Sequence, residues 1–179
     1  MMSDNPNDKC IGGRIAGYLP LIQATDGLTL SQICALSGLE PTTIQNWIKR
    51  GYVPHPVGKK YHERHLARIL LIARLRESMQ IDRIGALLHY VNGDTDDESD
   101  DVISEGALYD LFCEITEALG GRQAVDQIGE TVSAIVIQRI GQNASPKLTE
   151  ALHMMALTEM ASQRKREADA LFQRCIQES

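Results

Sequence analysis

Apolar and polar positions alternate along this chain with a helical rhythm almost from end to end. Ile81, Ile84, Leu87, Leu88 and Val91 fall three or four residues apart, as do Leu108, Leu111, Phe112, Ile115 and Leu119, a spacing that gathers apolar side chains on one helical face. Val125, Ile128, Val132, Ile135, Val136 and Ile140 repeat the pattern. Pro146 suits the first turn of a last helical stretch, which carries Leu148, Leu152, Met155, Ala156 and Met160, then Leu171, Phe172 and Cys175. Because Ser162 to Asp169 is mostly polar, this stretch reads as one long helix or two shorter ones. Near the start, Ile15, Leu19, Leu21 and Ile22 predict a short helix interrupted at Pro20. Strand-like alternation occurs only around Tyr52 to Tyr61. The expected class is all-α, mainly helical, with one short β-hairpin.

Most of the functional information lies between Leu30 and Gly51, where the pattern predicts a helix-turn-helix. Ser31 is placed to cap a short helix with Ile33, Cys34 and Leu36 on its inner face, and Gly38 sits where the chain must reverse. Pro41 then opens a second helix with Ile44, Trp47 and Ile48 turned inward. Two helices crossing closely need a small residue at the crossing, a permissive turn residue and an apolar plug, and Cys34, Gly38 and Ile44 supply them in that order. The second helix is left to expose Thr42, Thr43, Gln45, Asn46 and Lys49, side chains able to reach base edges and phosphates in a major groove. Beyond it, Tyr52 to Tyr61 is expected to form a hairpin whose tip carries Gly58, Lys59 and Lys60, placed to pair with phosphates. The next helix, about Glu63 to Glu77, covers this module with Leu66, Ile69, Leu70 and Ala73, and its Arg64 and Arg68 are the further phosphate candidates.

Charge sharpens this picture. The 179 residues carry a formal net charge of −6, which as a total argues against a coat for nucleic acid. Divided by segment, residues 27–90 hold nine Lys and Arg against four Asp and Glu, while residues 91–120 hold ten acids and no Lys or Arg. The acidic total thus belongs to a joint, opened by the turn-prone Asn92-Gly93 and dominated by Asp94 to Asp101. The predicted organisation is an N-terminal extension with a short helix at 1–26, a winged helix-turn-helix at 27–91, an acidic joint at 92–103 and a helical dimerisation or sensing domain at 104–179.

With those residues in place, the chain resembles the MerR-like winged-helix DNA-binding domain, matching in order the helix-turn-helix from Leu30 to Pro54, the wing, Tyr61, a helix rich in Leu and Ile, and Ile81 to Leu88. More closely, the stretch from the helix-turn-helix through Asn92 to Ile103 is similar to the uncharacterised bacterial family called domain of unknown function 1836. The MerR resemblance implies that Gln45 stands where a DNA-contacting arginine is usual, Asn46 where a backbone-contacting tyrosine is usual, and Lys59 or Lys60 where a wing arginine holds phosphate. Trp47 takes an aromatic core position. Two departures weigh against a promoter-untwisting mode: the wing is shorter by several residues, and Gln45 removes a charge from the recognition face. His62 stands where a Ser or Thr helix cap is usual.

Other constellations carry less. His55, His62, His65 and His89 cluster, but no cysteine or carboxylate set completes a transition-metal site. Asp94, Asp96, Glu98, Asp100 and Glu105 mimic the spacing of a calcium loop, yet Ser99 occupies the place where an EF-hand needs glycine. Cys10, Cys34, Cys113 and Cys175 are far apart, so reduced, mostly buried thiols are expected. Gly12, Gly13 and Gly17 do not make a nucleotide fingerprint, and no P-loop or nucleophile elbow occurs. Met154, Met155 and Met160 read as helical core or a helix-pairing face. No run of apolar residues is long enough to span a membrane and the first residues lack the pattern of a secretion signal. The reading is a cytoplasmic transcription regulator, not an enzyme, without cofactor or metal. Its expected partners are double-stranded DNA and a second copy of the chain, with an unidentified small-molecule effector as a further candidate. Two alternatives stand beside it: a protein-interaction adaptor using the same tri-helical surface, and a helical ligand-binding protein.

Overall fold

A computed structural model describes residues 13–120 and 125–177. Among these, a 3-10 turn at Ile15–Gly17 leads into helices α1 (Leu19–Ala24), α2 (Leu30–Ser37), α3 (Pro41–Lys49), α4 (Glu63–Leu75), α5 (Ile81–Asn92), α6 (Glu105–Leu119), α7 (Val125–Ile140) and α8 (Pro146–Gln177). The mainly helical class follows the sequence rhythm. Pro20 does not interrupt α1 as expected; it lies in the first turn, where its missing N–H is no loss. The last stretch is one helix of 32 residues opened by Pro146.

Helix α4 organises the molecule. Leu66, Ala67, Ile69, Leu70, Leu71, Ile72 and Leu75 are all 0% exposed, and the helix is surrounded by α2, α5, α6 and α8. A helix that is apolar all round must sit at the centre of a core. Instead of covering one small module, α4 joins both halves: the apolar cluster runs without a break from Ile15 to Met160. The described residues of 27–91 and of 104–177 therefore share one interior. Arg74 is buried in it with its guanidinium 4.5 Å from the centre of the Phe112 ring and within 3.3 Å of the Thr116 hydroxyl and 3.4 Å of Glu159, as a charge removed from water requires. The N-terminal segment docks through Asp110, whose carboxylate accepts from the Ile15 N–H at 2.7 Å and the Ala16 N–H at 3.2 Å.

The expected β-hairpin wing is corrected: among the described residues there is no strand. Pro54 and Pro56 each remove a backbone donor, so neither can donate to a strand ladder. What remains is a turn closed by a single antiparallel bridge between Val57 and Lys60. Gly58 and Lys59 both take positive φ, 57° and 63°, as the two central residues of a type I′ turn must. Tyr61 then pairs with Leu28 ahead of α2, by two backbone hydrogen bonds of 2.8 Å. Of the cysteines expected to be reduced and mostly buried, Cys34 and Cys175 are free thiols, the one half-buried and the other exposed, whereas Cys113 is 0% exposed and disulfide-bonded; spacing along a chain does not report which thiols a fold brings together. No helix among the described residues is long and apolar enough to cross a membrane.

Candidate nucleic-acid interface

The helix-turn-helix is built from local rules. Helix α2 starts two residues earlier than the sequence suggested: Thr29, not Ser31, is its cap, with the Thr29 hydroxyl accepting from the Gln32 N–H and the Gln32 side chain accepting from the Thr29 N–H at 2.8 Å. The turn begins at Gly38, whose φ of 68° is the left-handed conformation that glycine adopts without strain. Ser37 fastens it, donating to the Ile33 carbonyl at 2.8 Å and accepting from the Leu39 N–H at 3.3 Å. Pro41 opens α3, and Ile44 and Trp47 turn inward, 0% and 4% exposed.

Burial of Ile44 and Trp47 fixes the opposite face of α3 toward solvent. Thr42, Gln45, Asn46 and Lys49 are exposed there, Thr43 is half-buried beside them, and among the described residues their side chains make no hydrogen bond. Spacings of three and four residues put Thr42, Gln45, Asn46 and Lys49 on one surface. Lys59 is exposed at the tip of the type I′ turn.

The other three cations expected at phosphates lie elsewhere. Lys60 folds back, its ammonium donating to the carbonyls of Thr25 at 3.0 Å and Gly27 at 3.3 Å, where it secures the chain entering α2. Arg64 pairs with Glu98 of the acidic joint and donates to the Thr95 carbonyl. Arg68 is 2% exposed, ion-paired with Glu105, which is 3% exposed, and donates to the Tyr52 carbonyl at 2.8 Å. Neither Lys60 nor Arg68 is free to meet a phosphate, because buried or half-buried donors within one fold are claimed by the nearest carbonyl or carboxylate. His55 is likewise held by the joint, its N–H donating to Asp96 at 3.1 Å, and that bond is the main cause of an Asp96 carboxyl held below its usual range.

In their place the structure brings Arg76 forward. It is exposed just past the end of α4, with its guanidinium 5.6 Å from the centre of the Trp47 ring, so it lies beside α3. Sequence reasoning favoured the arginines nearest the wing and missed it. The signal was available: the apolar run ends at Leu75, so Arg76 is the first arginine beyond the buried stretch. Arg50 is also exposed at the end of α3, paired with Asp82 at 3.2 Å and donating to the Tyr52 hydroxyl at 2.8 Å.

At the start of α4 the joint closes a polar cleft lined by His62, Glu63, Arg64, Glu98, Asp101 and Glu105. Burial, with Glu105 beside it, pushes the Asp101 carboxyl up to about 6, and burial followed by Asp110 and Glu98 raises that of Glu63. His65 secures the start of α4 behind His62: its Nδ1 accepts from the His62 N–H at 3.0 Å while its Nε2 lies 3.1 Å from the His55 carbonyl. Those two bonds together require the neutral ring with the proton on Nε2, and burial pulls its pKa down in the same sense. Among the described residues no three His, Cys, Asp or Glu side chains converge to hold a metal ion.

The fold and this surface define a helix-turn-helix unit built into a larger helical body. Residues 25–112 match a family model described as Domain of unknown function (DUF1836). An uncharacterised protein, YkrK of Bacillus subtilis (strain 168), is 34% identical over 94 residues, which cover 50% of this chain and 40% of that protein. The chain thus spans about two fifths of that relative's length. No solved structure matches the chain. The matched segment enters at the turn before α2 and ends within α6, so it contains the Arg68–Glu105 pair and the acidic joint along with the helix-turn-helix.

Proposed function

We propose that this protein binds double-stranded DNA through α3 and acts as a transcription regulator. The observation that carries the reading is the solvent face of α3: Thr42, Gln45, Asn46 and Lys49 are presented by a helix whose inner face is anchored by Ile44 and Trp47, and no packing or hydrogen-bonding duty within the fold accounts for them. Gln45 and Asn46 offer the paired donor and acceptor that read an adenine edge, Thr42 and Thr43 adjoin them, and Lys49, Lys59 and Arg76 form the phosphate set. Lys60, Arg64 and Arg68 are left out of that set because their charges are spent within the fold.

The test is duplex binding measured against salt, using a pool of genomic fragments to recover the preferred site. Lys49→Ala and Arg76→Ala are each expected to lower the slope of log K against log salt by about one, the loss of one phosphate contact. Lys59→Gly removes a charge at a position where glycine suits the left-handed turn, so it separates charge from conformation. Asn46→Ala should cost about 1–3 kcal/mol on the selected site and little on random duplex. No duplex binding at low salt refutes the reading. Binding to an acidic protein surface, unaffected by Asn46→Ala, would favour an adaptor instead.

A further inference from the structure

The cleft at the start of α4 is short of positive charge. It encloses about 190 Å³, and its lining includes the four carboxylates of Glu63, Glu98, Asp101 and Glu105. Arg64 pairs with Glu98, and Arg68 with one oxygen of Glu105. The second oxygen of Glu105, Oε2, is buried with no hydrogen-bond partner among the described residues, on a side chain only 3% exposed. An acceptor buried and left unpaired is costly, so Oε2 calls for a donor from outside the fold. Glu63 and Asp101 have no ion-pair partner among the described residues, and burial together with nearby carboxylates makes both hold their protons more tightly than ordinary acids. Glu63 can lie in this wall only because Gly106 faces it; a Cβ there would collide with its carboxylate. The helix ends that meet here offset part of the deficit: α4 opens at Glu63 and α6 at Glu105, and each N-terminus is worth about half a positive charge. With both arginines counted, roughly one negative charge is left over. Water would give Oε2 a donor but would bring no charge.

We propose that this cleft binds a small guanidinium compound, whose planar cation bonds to Glu105 Oε2, Asp101 and Glu63. The charge left over is that of a monocation. The acceptors stand on three separate elements, α4, the joint and α6, and do not converge on one point as metal ligands must. A guanidinium fans its N–H donors over a plane, so it reaches acceptors that a metal ion or a compact ammonium would leave unmet. It is also the more weakly hydrated cation, which lowers the cost of drawing it out of water. The protein already makes this pairing beside the cleft, at Arg64 with Glu98 and Arg68 with Glu105. A bound guanidinium would be a third pairing of the same kind, and the volume holds one bearing a short alkyl group.

Calorimetric titration of the full chain with methylguanidine tests this without DNA, so its outcome is independent of the reading of α3. Saturable binding with a dissociation constant of about 1 mM is expected for a ligand of so few atoms. Methylurea, with the same shape and no charge, and tetramethylammonium, with the charge and no donors, should not bind. Asp101→Asn and Glu63→Gln should each weaken methylguanidine about tenfold, the loss of one charge-assisted hydrogen bond. Asp97→Asn, on the same joint but outside the cleft, should leave binding unchanged. Glu105 is kept, because its other oxygen holds Arg68. A blocked arginine, carrying the same group on a peptide backbone, separates two sources: weaker binding than methylguanidine assigns the site to a free small molecule, and tighter binding to an arginine side chain, which overturns the small-molecule assignment. Absence of saturation by about 20 mM, equal binding of methylurea or tetramethylammonium, or affinity indifferent to both Asp101→Asn and Glu63→Gln would each overturn the proposal as a whole.

Discussion

Arg64 and Arg68 lie one turn apart on α4, and their burial separates what a sequence cannot. Both are cations close to a predicted DNA-binding loop, but the fold sends Arg68 inward to Glu105 and the Tyr52 carbonyl, and Arg64 onto the joint. Removing one member of a buried ion pair strands the other, at a cost of about 3–5 kcal/mol. Arg68→Ala is therefore expected to lower stability by that amount in denaturant titration, whereas Lys49→Ala on the open face of α3 should leave it within about 0.5 kcal/mol. Asp101 gives a second test at this scale. Its folded carboxyl binds a proton up to about pH 6, against an ordinary value of 3.8. A raised pKa of this kind contributes stability that is full below pH 3.8 and lost as pH climbs through 6, so the ionised carboxylate is a burden at neutral pH. Asp101→Asn is expected to raise Tm at pH 7.5, with the gain vanishing near pH 4, in scans across that range.

At the scale of elements, the helices were legible because each follows from a short-range rule. Period fixed α5, α6 and α7, Pro146 marked the start of α8, and Gly38 with Pro41 framed the turn into α3. The exposed face of α3 was legible for the same reason, since the inward pointing of Ile44 and Trp47 decides where Gln45 and Asn46 must go. The wing was not, because alternation alone does not weigh the donors that Pro54 and Pro56 remove, nor the competition from Leu28 for Tyr61. The start of α2 was misplaced by two residues at its cap because both Thr29 and Ser31 are good caps; Gln32 decides between them by completing a capping box with Thr29 only. The apolar wrap of α4 from Leu66 to Leu75 was visible in the sequence, yet its meaning depends on which other elements arrive around it.

The whole molecule rearranges the charge that the sequence suggested. Nine cations against four anions between residues 27 and 90 looked like one basic module, but the joint draws in Arg64 and His55 while Glu105 claims Arg68. The positive surface that remains follows α3 and the end of α4 instead of spreading to the start of α4. The shared interior around α4 also decides how the protein comes apart. Were the two halves separate, heat would melt them at different temperatures. With one interior they should melt together, as a single cooperative transition. Trp47, the one tryptophan, reports the first half by its fluorescence, while far-ultraviolet circular dichroism reports every helix. The two signals are expected to trace the same melting curve, and a loss of Trp47 fluorescence well ahead of the helical signal would show that α4 does not bind the halves into one cooperative unit.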